Sequence, residues 1–358
     1  MTVVAVAFTG PRTIGFVREV RRELAPHEVR VRTLYSGVSA GTEMTAYRGT
    51  NPYLHKRWDA SSRLFVLDPE REGASYPVVG WGYEEVGEVV EVGGDSADVA
   101  LGSIVYGTWG HRTETVMEAA RARRRLLAPG VDHLYGVFSQ LGAIALNGVL
   151  DGALRLGETT AVFGLGVVGQ LVSQLARLSG ARVIGVDLLP NRLECARNIG
   201  LDAVLDGSEG GVAERIRELT EGRGADVCIE ASGSAQALHE AVRSVAYSSR
   251  VVAMGFFQGQ ANALYLGEEF HHNRINIVCS QISGVAPDLA HRWNQDRLVT
   301  TFMSLVESDR LNLRPLVTHI LPAAEAPELF RLLEEEQTTV MQTVLDFREG
   351  IPDSLLEG

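Results

Sequence analysis

The sequence predicts an α/β protein in two parts, a partly open β-barrel and a doubly wound parallel sheet. Three observations lead there. Across the first 140 residues, short β-prone runs alternate with glycine and proline. From about Val137 onward, strands and helices alternate at regular spacing, the pattern of a parallel sheet covered by helices. At the start of that alternation, residues 159–187 read TTAVFGLGVVGQLVSQLARLSGARVIGVD: strand, glycine turn, helix, strand and a terminal acid.

Size and charge narrow the options further. A chain of 358 residues is long for one domain and comfortable for two. Its formal charge of −12 argues against nucleic acid or an anionic membrane surface as partner. Three scattered cysteines, Cys195, Cys228 and Cys279, exclude a disulfide framework and a four-cysteine zinc lobe, and they suit a reducing cytoplasm. No basic segment leads into an apolar stretch at the start, and nowhere do 18 apolar residues run together. Neither export nor a membrane span is expected.

In chain order, the barrel strands are expected at residues 3–8, 28–36, 85–92, 103–107 and 114–117. Residues 50–77 show no periodicity; a loop of that length reads as a lid or substrate loop, or equally as a surface insertion. An apolar helix follows at 138–150. Parallel strands are then expected at 160–163, 182–186, 203–205, 226–230, 250–254 and 275–281, with helices at 167–178, 190–199, 212–220 and 235–245. The tail adds a helix (297–308), a strand (316–321), a helix (324–334) and a strand (338–346), and the simplest account returns it to the first domain. The expected domains are therefore 1–141 with 284–358, and 142–283.

Each glycine of the G-x-G-x-x-G turn has its own task. Gly164 permits the tight turn out of the strand, Gly166 lets backbone approach a pyrophosphate, and Gly169 lets the helix pack closely. Val167 and Val168 open that helix, whose N-terminal N–H groups and dipole favour phosphate. Asp187 stands where a carboxylate accepts hydrogen bonds from the ribose hydroxyls, and its charge opposes a 2′-phosphate, so NAD is favoured over NADP. Arg192 reads as a solvated side chain on the next helix, with a swing toward a phosphate as the alternative. Ligands of such sheets lie at the carboxyl ends of the strands, which nominates Ala231, Ser232, Gly255 and Ser280 as neighbours of the nicotinamide half.

Several motifs together carry a family resemblance. They are GVSAGTE at 37–43, YRG at 47–49, GYEEVGEV at 82–89, the mid-chain nucleotide fold and the tail THILPAAEAPELFRLLEEEQTTVMQTVLDF. With them the chain resembles the medium-chain dehydrogenase/reductase superfamily, the zinc-type alcohol dehydrogenase-like proteins. The resemblance implies a GroES-like catalytic domain, built from both ends of the chain, around a Rossmann NAD(P)-binding domain. It also implies a homodimer joined through the last Rossmann strand, here 275–281.

The departures from the family pattern bear on the metal. Zinc-dependent members carry G-I-C-G-S-D, G-H-E-x-x-G and a third ligand, Glu or Cys, because zinc needs thiolate, imidazole or carboxylate ligands around an open position. The cysteine position holds Ser39 or Ala40, depending on where a one-residue gap falls. The histidine position holds Tyr83, the third holds Gln140, and only Glu84 remains. The resemblance thus points to a zinc-less branch, most similar to bacteriochlorophyllide dehydrogenase-like members.

Side chains must then manage the proton of the reacting oxygen. Tyr83 is one candidate, its phenol lying where a metal would hold that oxygen; a packed tyrosine filling the vacated space is the alternative. Thr42 aligns with the serine or threonine that relays protons in zinc-dependent relatives. Glu43 and Glu84 match acidic positions that orient the loop. His111, next to Trp109 in G-T-W-G-H-R, is a further acid–base candidate, because imidazole titrates near neutrality; a purely structural histidine is the other reading. Gln140 and Asn147 are expected on one face of their helix.

The expected function is a zinc-independent, NAD(H)-dependent oxidoreductase interconverting a small secondary alcohol, sugar- or cyclitol-like, and its ketone. A reductase of activated C=C bonds using NAD(P)H is the second expectation. A catalytically silent nucleotide-binding protein is the third.

Overall fold

A computed structural model describes residues 2–67, 75–96, 98–336 and 338–356. The chain forms two compact units: Met1–Gln140 with Val317–Gly358, and Leu141–Leu316.

The first unit opens with the hairpin β1 (Val3–Gly10) and β2 (Thr13–Glu19), then the long β3 (Glu28–Val38), α1 (Ala40–Arg48) and α2 (Pro52–His55). A second hairpin follows, β4 (Lys56–Asp59) and β5 (Leu64–Leu67), then β6 (Val78–Val79), β7 (Glu85–Val92), β8 (Ile104–Gly107), β9 (Glu114–Glu118) and α3 (Ala119–Arg123). The chain leaves this unit within α4 (Phe138–Gly152).

Segment 50–77 is therefore not the featureless loop expected. It contains α2 and the β4–β5 hairpin, whose Trp58 and Phe65 rings meet edge-on at 5.1 Å. The hairpin escaped notice because both its strands are largely exposed, so no apolar–polar alternation marks them. Residues 68–74 of that segment lie outside the described residues.

The second unit alternates as expected: β10 (Thr159–Phe163), α5 (Val167–Leu178), β11 (Arg182–Asp187), α6 (Pro190–Asn198), β12 (Ala203–Asp206), α7 (Val212–Leu219), β13 (Ala225–Glu230), α8 (Ala235–Ser244), β14 (Val245–Ala253) and β15 (Asn276–Cys279). The strand order is β12-β11-β10-β13-β14-β15, all parallel. The order reverses between β10 and β13, so the crevice at the carboxyl ends opens beside the glycine turn. Helix α9 (Gln295–Glu307) stays with this unit. That corrects the expected boundary: residues 284–316 do not return to the first domain. The cause is packing, since the buried Phe302 ring of α9 lies directly on Gly142 of α4, where any side chain would clash.

The chain then returns to the first unit through β16 (Val317–Pro322), α10 (Ala326–Glu335) and β17 (Gln342–Asp346). The main sheet runs β16-β17-β3-β7-β8, with β9 also paired to β3. β17 lies antiparallel to β3, with Thr343 opposite Val38. Helix α10 buries Ala326, Leu329, Phe330 and Leu333, an i, i+3, i+4, i+7 stripe. Phe330 meets Phe8 edge-on at 5.2 Å and Tyr47 at 5.7 Å; burying such a ring contributes about 1.5–3 kcal/mol. This core anchors α1, and α1 carries the residues that matter below. No helix among the described residues is long and apolar enough to cross a membrane.

Candidate functional site

In the second unit, the glycine turn leads from β10 into α5, and the three glycines behave differently. Gly164 has φ +87°, and a Cβ there would press on Ser232. A Cβ on Gly169 would overlap the Gly164 carbonyl oxygen, so this glycine lets the helix sit on the turn itself. Gly166 is the opposite case. Its missing Cβ would find nothing closer than the Arg192 guanidinium at 3.9 Å. The backbone beside it is open, and as N-cap of α5 it caps with no side chain. Uncapped N–H groups next to open space, with Val167 and Val168 half-exposed at the first turn, fit a pyrophosphate.

Asp187 ends β11 as expected, but it is buried and already engaged. One carboxylate oxygen accepts the Leu165 N–H (2.6 Å), and the other accepts those of Leu188 (2.7 Å) and Leu189 (2.9 Å). It ties the glycine turn to the end of β11. Arg192 lies 3.6 Å from the same carboxylate rather than in solvent, which corrects its expected position.

The other nominated residues gather at the carboxyl ends of the neighbouring strands. Ala231 donates its N–H to the Phe163 carbonyl (2.8 Å), bringing Ser232 against Gly164. Glu230 is buried and accepts N–H bonds from Ser232 (2.7 Å) and Gly233 (3.1 Å), and Gly255 packs on Gly233 with no room for a side chain. Burial holds the Glu230 carboxyl above its usual range, against these hydrogen bonds. Ser280 and Asn147 are both buried. Asn147 donates to Ser280 Oγ (3.3 Å), Asp151 (3.2 Å) and the Gly284 carbonyl (3.2 Å). Asn147 thus positions the chain after β15 instead of presenting itself to open space.

In the first unit, a cluster of hydroxyls forms at the start of α1. Tyr83 Oη bonds Ser39 Oγ and donates to Thr42 Oγ1 at 3.1 Å. Ser39 is the N-cap of α1, yet its hydroxyl caps nothing. Glu43 reaches back instead, accepting the Ser39 N–H at 2.8 Å, which frees the Ser39 hydroxyl for Tyr83. Tyr83 and Thr42 are half-buried. Burial first, then the charge of Glu84, pushes the Tyr83 phenol well above its ordinary pKa. It remains protonated and is therefore a donor at neutral pH.

Glu84 and His111 lie deeper than a substrate-contacting role requires. Glu84 is fully buried; its Oε2 accepts from Gln342 Nε2 (2.9 Å), while Oε1 has no partner. Burial and the charge of Glu43 raise its carboxyl well above the usual range. His111, 1 % exposed, bonds Glu43 through Nε2 (2.5 Å) and Ser36 through Nδ1 (2.7 Å). Both side chains are spent on buried partners rather than on open space. Gln140, on the first turn of α4, is partly exposed and joins no hydrogen bond to the hydroxyl cluster among the described residues. Ser36, Glu85 and Gln342 complete these buried contacts, and no local pattern in the sequence marks them as doing so.

Two of the positions aligned with zinc ligands therefore hold hydroxyls bonded to each other, Ser39 and Tyr83, and the third holds the amide of Gln140. That donor set does not fit zinc, which takes thiolate, imidazole or carboxylate ligands. Among the described residues, no group of three or more His, Cys, Asp or Glu side chains is arranged to hold a metal ion.

A pyrophosphate-ready glycine turn on a parallel sheet, joined in one chain to a β-rich unit with proton-bearing side chains, defines a nicotinamide-dependent oxidoreductase. Comparison with known proteins makes this specific. Residues 167–295 match the zinc-binding dehydrogenase family. The chain is 32% identical over 328 residues to D-guloside 3-dehydrogenase of Escherichia coli (strain K12), covering 90% of this chain and 93% of that one. Two solved structures at lower identity share the fold. One is an alcohol dehydrogenase from E. coli CFT073 complexed with NADH (TM-score 0.76, 19% identity, 97% and 100% of the two chains covered). The other is described as a zinc-binding dehydrogenase from Sinorhizobium meliloti 1021, bound to NADP (TM-score 0.75, 20%, 97% and 99%). The chain belongs to the medium-chain dehydrogenase/reductase superfamily, the zinc-type alcohol dehydrogenase-like proteins.

Proposed function

We propose that this chain is a zinc-independent, NAD(H)-preferring dehydrogenase that interconverts a secondary alcohol of a sugar- or polyol-like substrate and its ketone. The observation that carries the reading is the Tyr83–Ser39–Thr42 hydroxyl cluster, in which Tyr83 and Ser39 align with zinc ligands and Thr42 with the proton-relaying hydroxyl of zinc-dependent relatives. The polyhydroxylated substrate class draws on the relatives, which include the D-guloside 3-dehydrogenase above and a sorbitol dehydrogenase of Halalkalibacterium halodurans, 24% identical over 352 residues.

The bound nicotinamide supplies the hydride acceptor or donor. The protein's own residues handle the oxygen. Tyr83, kept neutral by burial, would turn its single proton from Thr42 to the carbonyl oxygen and stabilise the charge that develops on it. Ser39 and Thr42 orient that phenol. Around Gly166 and α5 the backbone N–H groups hold the pyrophosphate, and Asp187 sets the preference against a 2′-phosphate. A homodimer through the outer edge of β15 belongs to this reading, since β15 has a neighbour strand on one side only among the described residues. Sedimentation of the purified chain checks it. A cytoplasmic location suits three cysteines that are all free.

The test is a screen of sugar and polyol alcohols and their ketones, read by NADH absorbance, beside metal analysis of the purified protein. Tyr83→Phe is expected to lose about 10²–10³ in kcat, the usual effect of removing one donor to a developing oxyanion. An unchanged rate removes Tyr83 from the mechanism, and stoichiometric zinc overturns the metal-free reading. Turnover confined to activated C=C bonds with NADPH would favour the reductase alternative.

A further inference from the structure

Behind the hydroxyl cluster runs a buried chain of four side chains from four segments. Glu43 Oε2 meets His111 Nε2 at 2.5 Å, His111 Nδ1 meets Ser36 Oγ at 2.7 Å, and Ser36 donates to Glu85 Oε1 at 3.1 Å. All four residues are buried. Backbone N–H groups fasten both ends: Ser39 donates to Glu43 Oε1 (2.8 Å), and Trp109 donates to Glu85 Oε2 (2.6 Å). Gly82, at φ +105°, crosses His111 where a Cβ would meet the ring within 2.9 Å, so the backbone closes directly over the imidazole.

Three hydrogen bonds need three protons. Two ionised carboxylates, a neutral imidazole and a serine supply only two, one from the ring and one from the hydroxyl. The chain is complete only with one proton more. Imidazole is more basic than a carboxyl group, and this ring lies between two of them, so the ring takes the proton.

We propose that His111 is held as an imidazolium between Glu43 and Glu85, and that this doubly bonded ring is a positioning residue fixing the turn that aligns Ser39 and Thr42 with Tyr83. The effect on catalysis rests on the oxidoreductase reading above; the extra proton does not. The groups facing the ring are consistent with it. Glu43 lies on α1, Glu85 on β7 and the uncharged Ser36 on β3, with the Phe330 ring of α10 at 6.5 Å and Arg112 next in the chain. Arg112 opposes the imidazolium but pairs with Glu19 at 3.0 Å. Burial alone would lower the pKa of His111; the charge and hydrogen bond of Glu43, aided by Glu85, raise it overall.

The consequence concerns alkaline pH. Once the ring loses a proton, two protons are left for three bonds, so one link between Glu43 and Glu85 opens and the hold on the Ser39 turn weakens. The alkaline limb of the rate then belongs to His111, not to Tyr83.

Two measurements test this. Nitrogen-15 NMR of the histidine-labelled full chain is expected to show one of its nine histidines with both ring nitrogens still protonated above the pH at which an ordinary imidazole has lost its proton. That signal should vanish in His111→Gln and revert to ordinary titration in Glu43→Gln. If His111 shows a bare ring nitrogen at neutral pH in the wild type, the proposal falls, whether or not any substrate has been found. Second, on whichever substrate is turned over, His111→Gln should lower kcat about fivefold near neutrality, what one lost hydrogen bond is worth, with KM unchanged. It should also abolish the alkaline limb. An alkaline limb that survives in His111→Gln overturns the positioning role.

Discussion

The two units solve their chemical tasks with different materials. In the second, the work is done by backbone: three glycines within six residues, an uncapped helix start, and one aspartate tying the turn to the neighbouring strand. In the first, it is done by buried polar side chains drawn from β3, α1, the start of β7 and the segment before β9, and closed by Gln342 from the far end of the chain. A backbone site tolerates little change in shape but much change in charge. The side-chain site has the reverse sensitivity, since its alignment depends on where a few protons lie.

The strongest test of that contrast is steric. Gly169→Ala places a methyl group on the Gly164 carbonyl oxygen, so α5 must shift away from the turn. Overpacking of this kind typically costs about 1–3 kcal/mol, and relief through the helix would open the phosphate site. Loss of nucleotide binding is expected, with a lower melting temperature. Gly166→Ala meets nothing within 3.9 Å and should melt within about 0.5 kcal/mol of the wild type. It should nevertheless bind nucleotide at least tenfold more weakly (about 1.4 kcal/mol), because its methyl group occupies the space left for the pyrophosphate. Calorimetric titration with NADH beside a thermal melt separates the two. Equal behaviour of the two variants would mean that the turn does not cradle a phosphate.

That difference explains what could be read in the sequence. The glycine turn, α5 and the strands around them were legible because their determinants are local: glycine spacing, apolar runs and the acid at 187 lie within about thirty residues. Tyr83 and Thr42 were legible only through the family pattern. The His111 network was not legible, because Glu43 and His111 are 68 residues apart and Glu84 and Gln342 are 258 apart. Nothing in the alternation of β3 marks Ser36 as the partner of a histidine. The domain boundary was misplaced for a related reason: α9 looks like any amphipathic helix until Phe302 is seen against Gly142.

A smaller effect is expected at Asp187, where both kinds of material meet. Its three backbone partners make it structural, and in the proposed reading its charge also disfavours a 2′-phosphate. Asp187→Asn keeps an oxygen acceptor and removes the charge, leaving Arg192 unopposed. The ratio of NADPH to NADH affinity should rise about tenfold, or about 1.4 kcal/mol. An unaltered ratio would confine Asp187 to its role in the fold.

The smallest effect separates the units by pH. Glu84, Glu85 and His111 all have raised folded-state pKa values, with burial the largest cause for the two carboxyls and the Glu43 charge and hydrogen bond outweighing burial for the imidazole. The folded chain therefore keeps protons that the unfolded chain releases. The stability this confers is complete below the unfolded values, about 4.5 for the carboxyls and about 6.5 for the imidazole, and it is lost as pH rises through the folded ones. The first unit should therefore melt at progressively lower temperature from mildly acidic to alkaline pH. Glu84→Gln removes one titrating proton and should flatten that slope by at most about 1.4 kcal/mol per pH unit. If the slope is the same in the variant, Glu84 is already ionised in the native protein. The contrast between a backbone site and a proton-dependent site would then rest on His111 and Glu85 alone.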